Sequence, residues 1–223
     1  MIKRVIFDKL MQQVDYKKAI ILLGPRQVGK TTLVKEMASA LNSNFLYING
    51  DLPVVQEQLN NPSLSFLQSY FGDRKVIMID EAQRIKNIGI TLKLILDSEQ
   101  DVQFLVSGSS ALELANTVNE PLTGRKWEHM LYPISWQELC NYETMSGALS
   151  RLQNLIIYGM YPEILTHTGQ EKDILNNLSS SYLYKDLLSF QGIRKPELLN
   201  KILLALAFQM GSPVNLNGIS RTV

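Results

Sequence analysis

The 223-residue chain has a single cysteine, Cys140, and almost no charge imbalance. One thiol cannot close an internal disulfide, and it suits a reducing compartment. Lys and Arg total 22 against 21 Asp and Glu, a net charge of +1. That excludes a basic coat for gripping nucleic acid, though not a local patch. Long apolar runs are also missing. Ala19–Leu23 and Ile202–Phe208 fall far short of the roughly 20 residues that cross a bilayer. The opening MIKRVIFDKLMQQV is basic and then apolar, but Asp8, Gln12 and Gln13 interrupt it. No small-residue cleavage site follows, which argues against a signal peptide. The two histidines, His129 and His167, lack neighbours at metal-ligand spacing and read as structural or surface residues. No repeat, low-complexity tract or long linker is present. The expectation is a soluble cytoplasmic protein with no membrane partner.

What the chain does have is ordinary globular material, 45% hydrophobic and 19% charged. A chain of this length buries about 70% of its unfolded surface and needs no metal or disulfide staple. Val5–Val14 carries Val5, Ile6, Leu10 and Met11 at helical spacing. Ala19–Leu23 (AIILL) reads as a strand buried on both faces. Thr31–Leu41 reads as a helix, and Thr91–Leu96 as another. Phe45–Ile48, Val76–Ile79, Val102–Val106 and Trp127–Leu131 complete a set of five strands. Alternation of apolar strands with helices predicts an α/β fold, a doubly wound parallel sheet. The pattern stops near residue 135. Leu149–Tyr158, Lys172–Phe190 and Pro196–Met210 then read as helices.

Residues 24–32 read GPRQVGKTT, placing Gly24, Gly29, Lys30 and Thr31 in the pattern of a phosphate-binding loop. The loop spans Gly24, Pro25, Arg26, Gln27, Val28, Gly29, Lys30, Thr31 and Thr32. Its glycines let backbone N–H groups turn inward, and the following helix N-terminus adds partial positive charge. Lys30 offers an ammonium to the outer phosphates, and the Thr31 hydroxyl suits Mg²⁺. Arg26 reads as structural or surface-facing, because its neighbours' amides do the binding.

Asp80 and Glu81 follow the four apolar residues VIMI. Ligands of a parallel sheet sit at the carboxyl ends of its strands. There Asp80 is a candidate metal ligand, and Glu81 a candidate base that orients or deprotonates water. An apolar run ending in a solvated charge is the plain alternative. The fourth strand runs into VSGSS, where Ser107 or Ser109 is a candidate γ-phosphate sensor. A serine-rich helix cap is the other reading.

With these residues in hand, the chain resembles the prokaryotic AAA-like ATPases whose loop reads GPRQxGKTT. IMIDEAQ, FLVSGSS, LTGRKWEHMLYPISWQEL, YGMYPEIL and YLYKDLL are similar to successive family segments, in order. The resemblance implies ATP and Mg²⁺ as ligands and a P-loop NTPase sheet of order 5-1-4-3-2. It makes Lys30 and Thr31 the triphosphate and metal contacts, Asp80 the metal-side carboxylate and Glu81 the catalytic one. It makes Arg125 a candidate arginine finger, acting on its own or a neighbour's nucleotide. A structural salt bridge at a strand start is the equal alternative. Trp136 and Met160 depart from the family's usual Phe and Gly at positions that concern packing. Trp127 and Trp136 read as packing between the sheet and a helical lid.

The expected organisation is an ATPase domain over 1–145, a helical lid over 146–195 and the incomplete beginning of a winged helix over 196–223. Nucleic acid binding is then expected only through the missing part of that winged helix. The leading functional reading is an Mg²⁺-dependent ATPase driving a conformational switch for an unidentified protein partner, with self-association if Arg125 acts in trans. The alternatives are a nucleotide-gated binding module with little turnover, a small-molecule phosphotransferase and a DNA-linked regulator. Without an Asn/Thr-Lys-x-Asp guanine-reading motif, ATP is preferred to GTP.

Overall fold

A computed structural model describes residues 2–15, 17–41, 44–98, 100–108, 121–179 and 196–222. Five strands form one sheet: β1 Ala19–Leu23, β2 Leu46–Asn49, β3 Val76–Asp80, β4 Gln103–Gly108 and β5 Lys126–Met130. Their order is β2-β3-β4-β1-β5, and every neighbouring pair is parallel. This is the expected sheet order read from the other edge. All residues of β1, β3 and β4 are buried, which is why their central runs AIILL, VIMI and FLV are apolar, with Gln103, Asp80 and Ser107 the buried polar exceptions.

Because successive strand residues face opposite ways, the sheet serves two cores. On one face, Ile21, Ile77 and Phe104 pack with residues of α3 (Pro53–Leu59), α4 (Leu64–Phe71) and α5 (Ile88–Leu96). On the other, Ile20, Met78 and Leu105 pack with Leu10 of α1 (Ile6–Gln12) and with Leu33, Val34 and Met37 of α2 (Lys30–Leu41). Helices on both faces make the sheet doubly wound. A third cluster, including Ile134, Leu139, Ala148 and Leu165, forms among the helices after β5. The first of these is α6, Trp136–Glu143, whose N-terminus carries a capping box between Ser135 and Glu138.

Two local expectations change. The single helix expected over Leu149–Tyr158 is two, Met145–Ser150 and Leu152–Tyr158, divided at Arg151. Its backbone (φ −99°, ψ 1°) leaves the helical path there, and its N–H turns to the Ala148 carbonyl at 3.2 Å. The two tryptophans do not share one layer. Trp127 packs on a sheet face, under the Lys18 ammonium at 4.2 Å from its ring centroid, while Trp136 joins the helical cluster. The expected Lys172–Phe190 helix is described only as Glu171–Leu178; Tyr182, Leu183, Tyr184 and Leu187 lie outside the described residues.

The chain divides into two compact units, residues 1–166 and 167–223. The helices Met145–Ser150, Leu152–Tyr158 and Pro162–Thr166 thus fall within the first unit. The second unit contains helices Glu171–Leu178, Pro196–Ala207 and Leu216–Thr222. Among the described residues, no helix is long and apolar enough to cross a membrane.

Candidate functional site

The carboxyl ends of β1, β3 and β4 lie side by side, and each sends a motif residue to the same place. β1 leads into the loop at Gly24. A Cβ on that residue would collide with the Leu131 carbonyl oxygen, so only glycine lets the chain turn there. Gln27 (φ 58°) and Gly29 (φ 96°) take left-handed backbone on either side of Val28. The Gly29 carbonyl then accepts the Leu33 N–H at 3.0 Å, which starts α2. The Lys30 side chain folds back over the loop and is buried at 5% exposure. Its ammonium donates to the Gly24 and Pro25 carbonyls at 2.9 and 2.8 Å.

Asp80 at the end of β3 is the centre of the site and is buried. Its Oδ2 accepts the Thr31 hydroxyl at 2.8 Å. Its Oδ1 accepts the Ser107 hydroxyl and the Glu81 N–H, the latter at 3.2 Å. Ser107 is wholly buried on β4, between β1 and β3, where the order of strands puts it beside both motifs. Three sequence-predicted residues, Thr31, Asp80 and Ser107, therefore meet directly. Ser109 lies outside the described residues.

Glu81 sits in left-handed backbone (φ 49°, ψ 41°), a conformation that costs a non-glycine residue on the order of 1 kcal/mol. Its carboxylate accepts from Gln83 Nε2 at 2.5 Å. Gly50, just beyond β2, holds this turn from below. Its N–H donates to the Asp80 carbonyl at 2.8 Å, and a Cβ there would collide with the Glu81 carbonyl oxygen. Gly50 was not singled out in the sequence, because the close approach is made by a backbone 31 positions away.

Tyr47 is a second residue that sequence reasoning missed. Its hydroxyl stands 3.5 Å from Asp80 Oδ2, and the Lys35 ammonium lies 4.8 Å from its ring centroid. Burial, then the Asp80 charge and hydrogen bond, push its phenol above the usual range.

Arg125 is not brought into this group. It precedes β5 at the amino end of the sheet, where its carbonyl accepts the Ala19 N–H at 2.9 Å. The length of β1, roughly 15 Å, separates that point from Gly24. Its guanidinium pairs with Asp97, beside the start of β5 and away from the phosphate loop. His129 meets Gln13 at 2.6 Å. Among the described residues, no three His, Cys, Asp or Glu side chains group to hold a metal.

The donor set around the loop is nonetheless the kind Mg²⁺ uses. The ion takes one or two protein oxygens and completes its shell with water and phosphate. The Thr31 hydroxyl and the Asp80 carboxylate supply two such oxygens side by side. The residues present therefore fit the ion.

Residues 16–140 match the family described as an AAA domain. Residues 149–223 match one described as a domain of unknown function (DUF8612). An uncharacterized protein of Haemophilus influenzae (strain ATCC 51907 / DSM 11121 / KW20 / Rd) is 24% identical over 237 residues, covering 97% of this chain and 58% of that protein. The chain thus spans less than two thirds of that relative. Among solved structures, the Holliday junction branch migration motor RuvB of Thermotoga maritima is similar with a TM-score of 0.51 at 18% identity. The match covers 99% of this chain and 81% of that one, and it is a likeness of fold.

Proposed function

This chain belongs to the AAA domain family, and we propose that it binds ATP with Mg²⁺ and hydrolyses it to drive a conformational switch for a protein partner. The observation that carries the reading is the meeting of Thr31 and Asp80 at the mouth of the phosphate loop. Two hard oxygen donors, one from the start of α2 and one from the end of β3, converge where a triphosphate would lie.

In this reading the loop amides and the α2 N-terminus bind the phosphates. Lys30, now held by the Gly24 and Pro25 carbonyls, exchanges those neutral acceptors for phosphate oxygens. Thr31 and Asp80 hold the metal, and Ser107 keeps the Asp80 carboxylate turned toward them. Mg²⁺ held by these residues would supply positive charge to neutralise the outer phosphates. Glu81 orients a water and takes its proton as the water oxygen bonds to the γ-phosphorus. The bond to the bridging oxygen of ADP breaks in the same displacement. The strained turn at Glu81, backed by Gly50, fixes where that carboxylate starts. Ser107, with Ser109 as the alternative, senses the γ-phosphate. The partner, self-association and any nucleic acid contact through a winged helix belong to the same proposal.

Equilibrium binding of ATP, with and without Mg²⁺, tests the first step. Wild type should bind MgATP, and Lys30→Ala should weaken it at least tenfold. Equal affinities in the two proteins would remove the loop from the binding site.

A further inference from the structure

Arg4 belongs to no motif, yet among the described residues it is one of the few charged side chains that are buried, at 7% exposure. Its guanidinium reaches three separate stretches of chain. Nη1 donates to the Val28 carbonyl at 2.9 Å, Nη2 to the Tyr132 carbonyl at 2.6 Å, and Nε to Glu138 Oε1 at 3.1 Å. Glu138, itself 5% exposed, accepts the Val5 N–H on Oε1 and the Ser135 N–H on Oε2, both at 2.8 Å. A buried ion pair is costly to desolvate, and apolar residues of similar volume fill a core as well or better. Core filling alone therefore gives no reason for an arginine here.

The Val28 carbonyl gives one. Val28 stands between the two left-handed residues of the loop, Gln27 and Gly29. A trans peptide is planar, with its C=O and N–H pointing in opposite directions. Anchoring the Val28 carbonyl on Arg4 therefore fixes the Gly29 N–H to the face away from Arg4. A Cβ on Gly29 would lie 3.7 Å from Arg4 Nη1, an ordinary contact distance, so the guanidinium is a neighbour of that residue.

We propose that Arg4 is a positioning residue for phosphate: it holds the Val28–Gly29 peptide so that the Gly29 N–H faces the nucleotide, and Glu138 holds Arg4 in register. Arg4 touches no phosphate. It acts through a peptide plane, from the side opposite the ligand. The proposal rests on the nucleotide-binding reading, and its test separates the two.

Arg4→Lys keeps the charge but loses the planar fork that serves three acceptors. Its amide exchange in residues 24–32, measured without nucleotide, should rise at least tenfold while the β-sheet amides stay at wild-type rates. In turnover, KM for MgATP should rise at least tenfold with kcat within about threefold. Glu138→Gln, which keeps the shape and removes the charge, should shift both in the same direction by less. Millimolar methylguanidinium should restore loop protection to Arg4→Ala. Unchanged loop exchange in Arg4→Lys would overturn the proposal. So would faster exchange spread evenly over the protein, which is the mark of a merely structural arginine. Should wild type fail to bind ATP, the nucleotide reading falls, and the exchange comparison still decides whether Arg4 orders the loop.

Discussion

Thr31 and Asp80 stand 49 positions apart in the chain, and their side-chain oxygens meet at 2.8 Å. Ser107 donates to the other Asp80 oxygen, so residues from α2, β3 and β4 share one carboxylate. Each of the three follows from the strand order, which sets β4 between β1 and β3.

Asp80→Asn should lower ATP turnover at least about 100-fold, on the scale of losing one electrostatic group from a preorganised site. The amide replaces one acceptor with a donor, which then confronts the Thr31 or Ser107 hydroxyl. A magnesium titration of turnover checks this. The variant should fold, and its residual activity should no longer respond to the ion as wild type does.

Gly50→Ala places a methyl group against the Glu81 carbonyl. Overpacking of this kind costs about 1–3 kcal/mol. The urea midpoint should fall accordingly, and turnover should fall with it as the Glu81 turn is displaced. A variant with wild-type stability and turnover would show that Gly50 does not hold that turn.

Arg125→Ala removes a half-exposed ion pair with Asp97. Such pairs contribute about 0–1 kcal/mol. Stability should drop by no more than that, and turnover in dilute solution should stay within twofold of wild type. A per-subunit rate that climbs with concentration in wild type, and stays flat in the variant, would instead assign Arg125 to a neighbour's nucleotide.

Acid should loosen the Arg4–Glu138 link. Burial alone would raise the Glu138 pKa, but the N–H groups of Ser135 and Val5 and the Arg4 guanidinium outweigh it, and the net shift is downward. With the folded pKa below the ordinary value of 4.5, the stabilisation is present above that value. It is lost as pH falls through the folded pKa. Urea stability of wild type should therefore decline below about pH 4.5, and Glu138→Gln should show a shallower decline over the same window.

Much of the site was legible because its chemistry is local. GPRQVGKTT spans one loop and the start of α2, Asp80 ends β3 with Glu81 directly after it, and β1 could be bounded to the residue by its five apolar positions. The sheet order was not readable from the pattern of strands; it came with the family resemblance. Helices Pro53–Leu59 and Leu64–Phe71 escaped notice because each is barely two turns long, too short for a clear helical period. Arg4 and Glu138 escaped for another reason. They are 134 positions apart, and only the fold makes them a pair. The Ser-x-x-Glu spacing at 135–138 was the one local sign, since it marks a helix start. It says nothing of an arginine arriving from the other end of the chain.

Single-turnover hydrolysis of MgATP by wild type and Glu81→Gln, at protein concentrations above the binding constant, goes to the centre of the proposal. Wild type should release phosphate in one exponential phase, and Glu81→Gln should bind ATP with similar affinity and hydrolyse it at least about 100-fold more slowly. Equal rates would contradict Glu81 as the group that activates water.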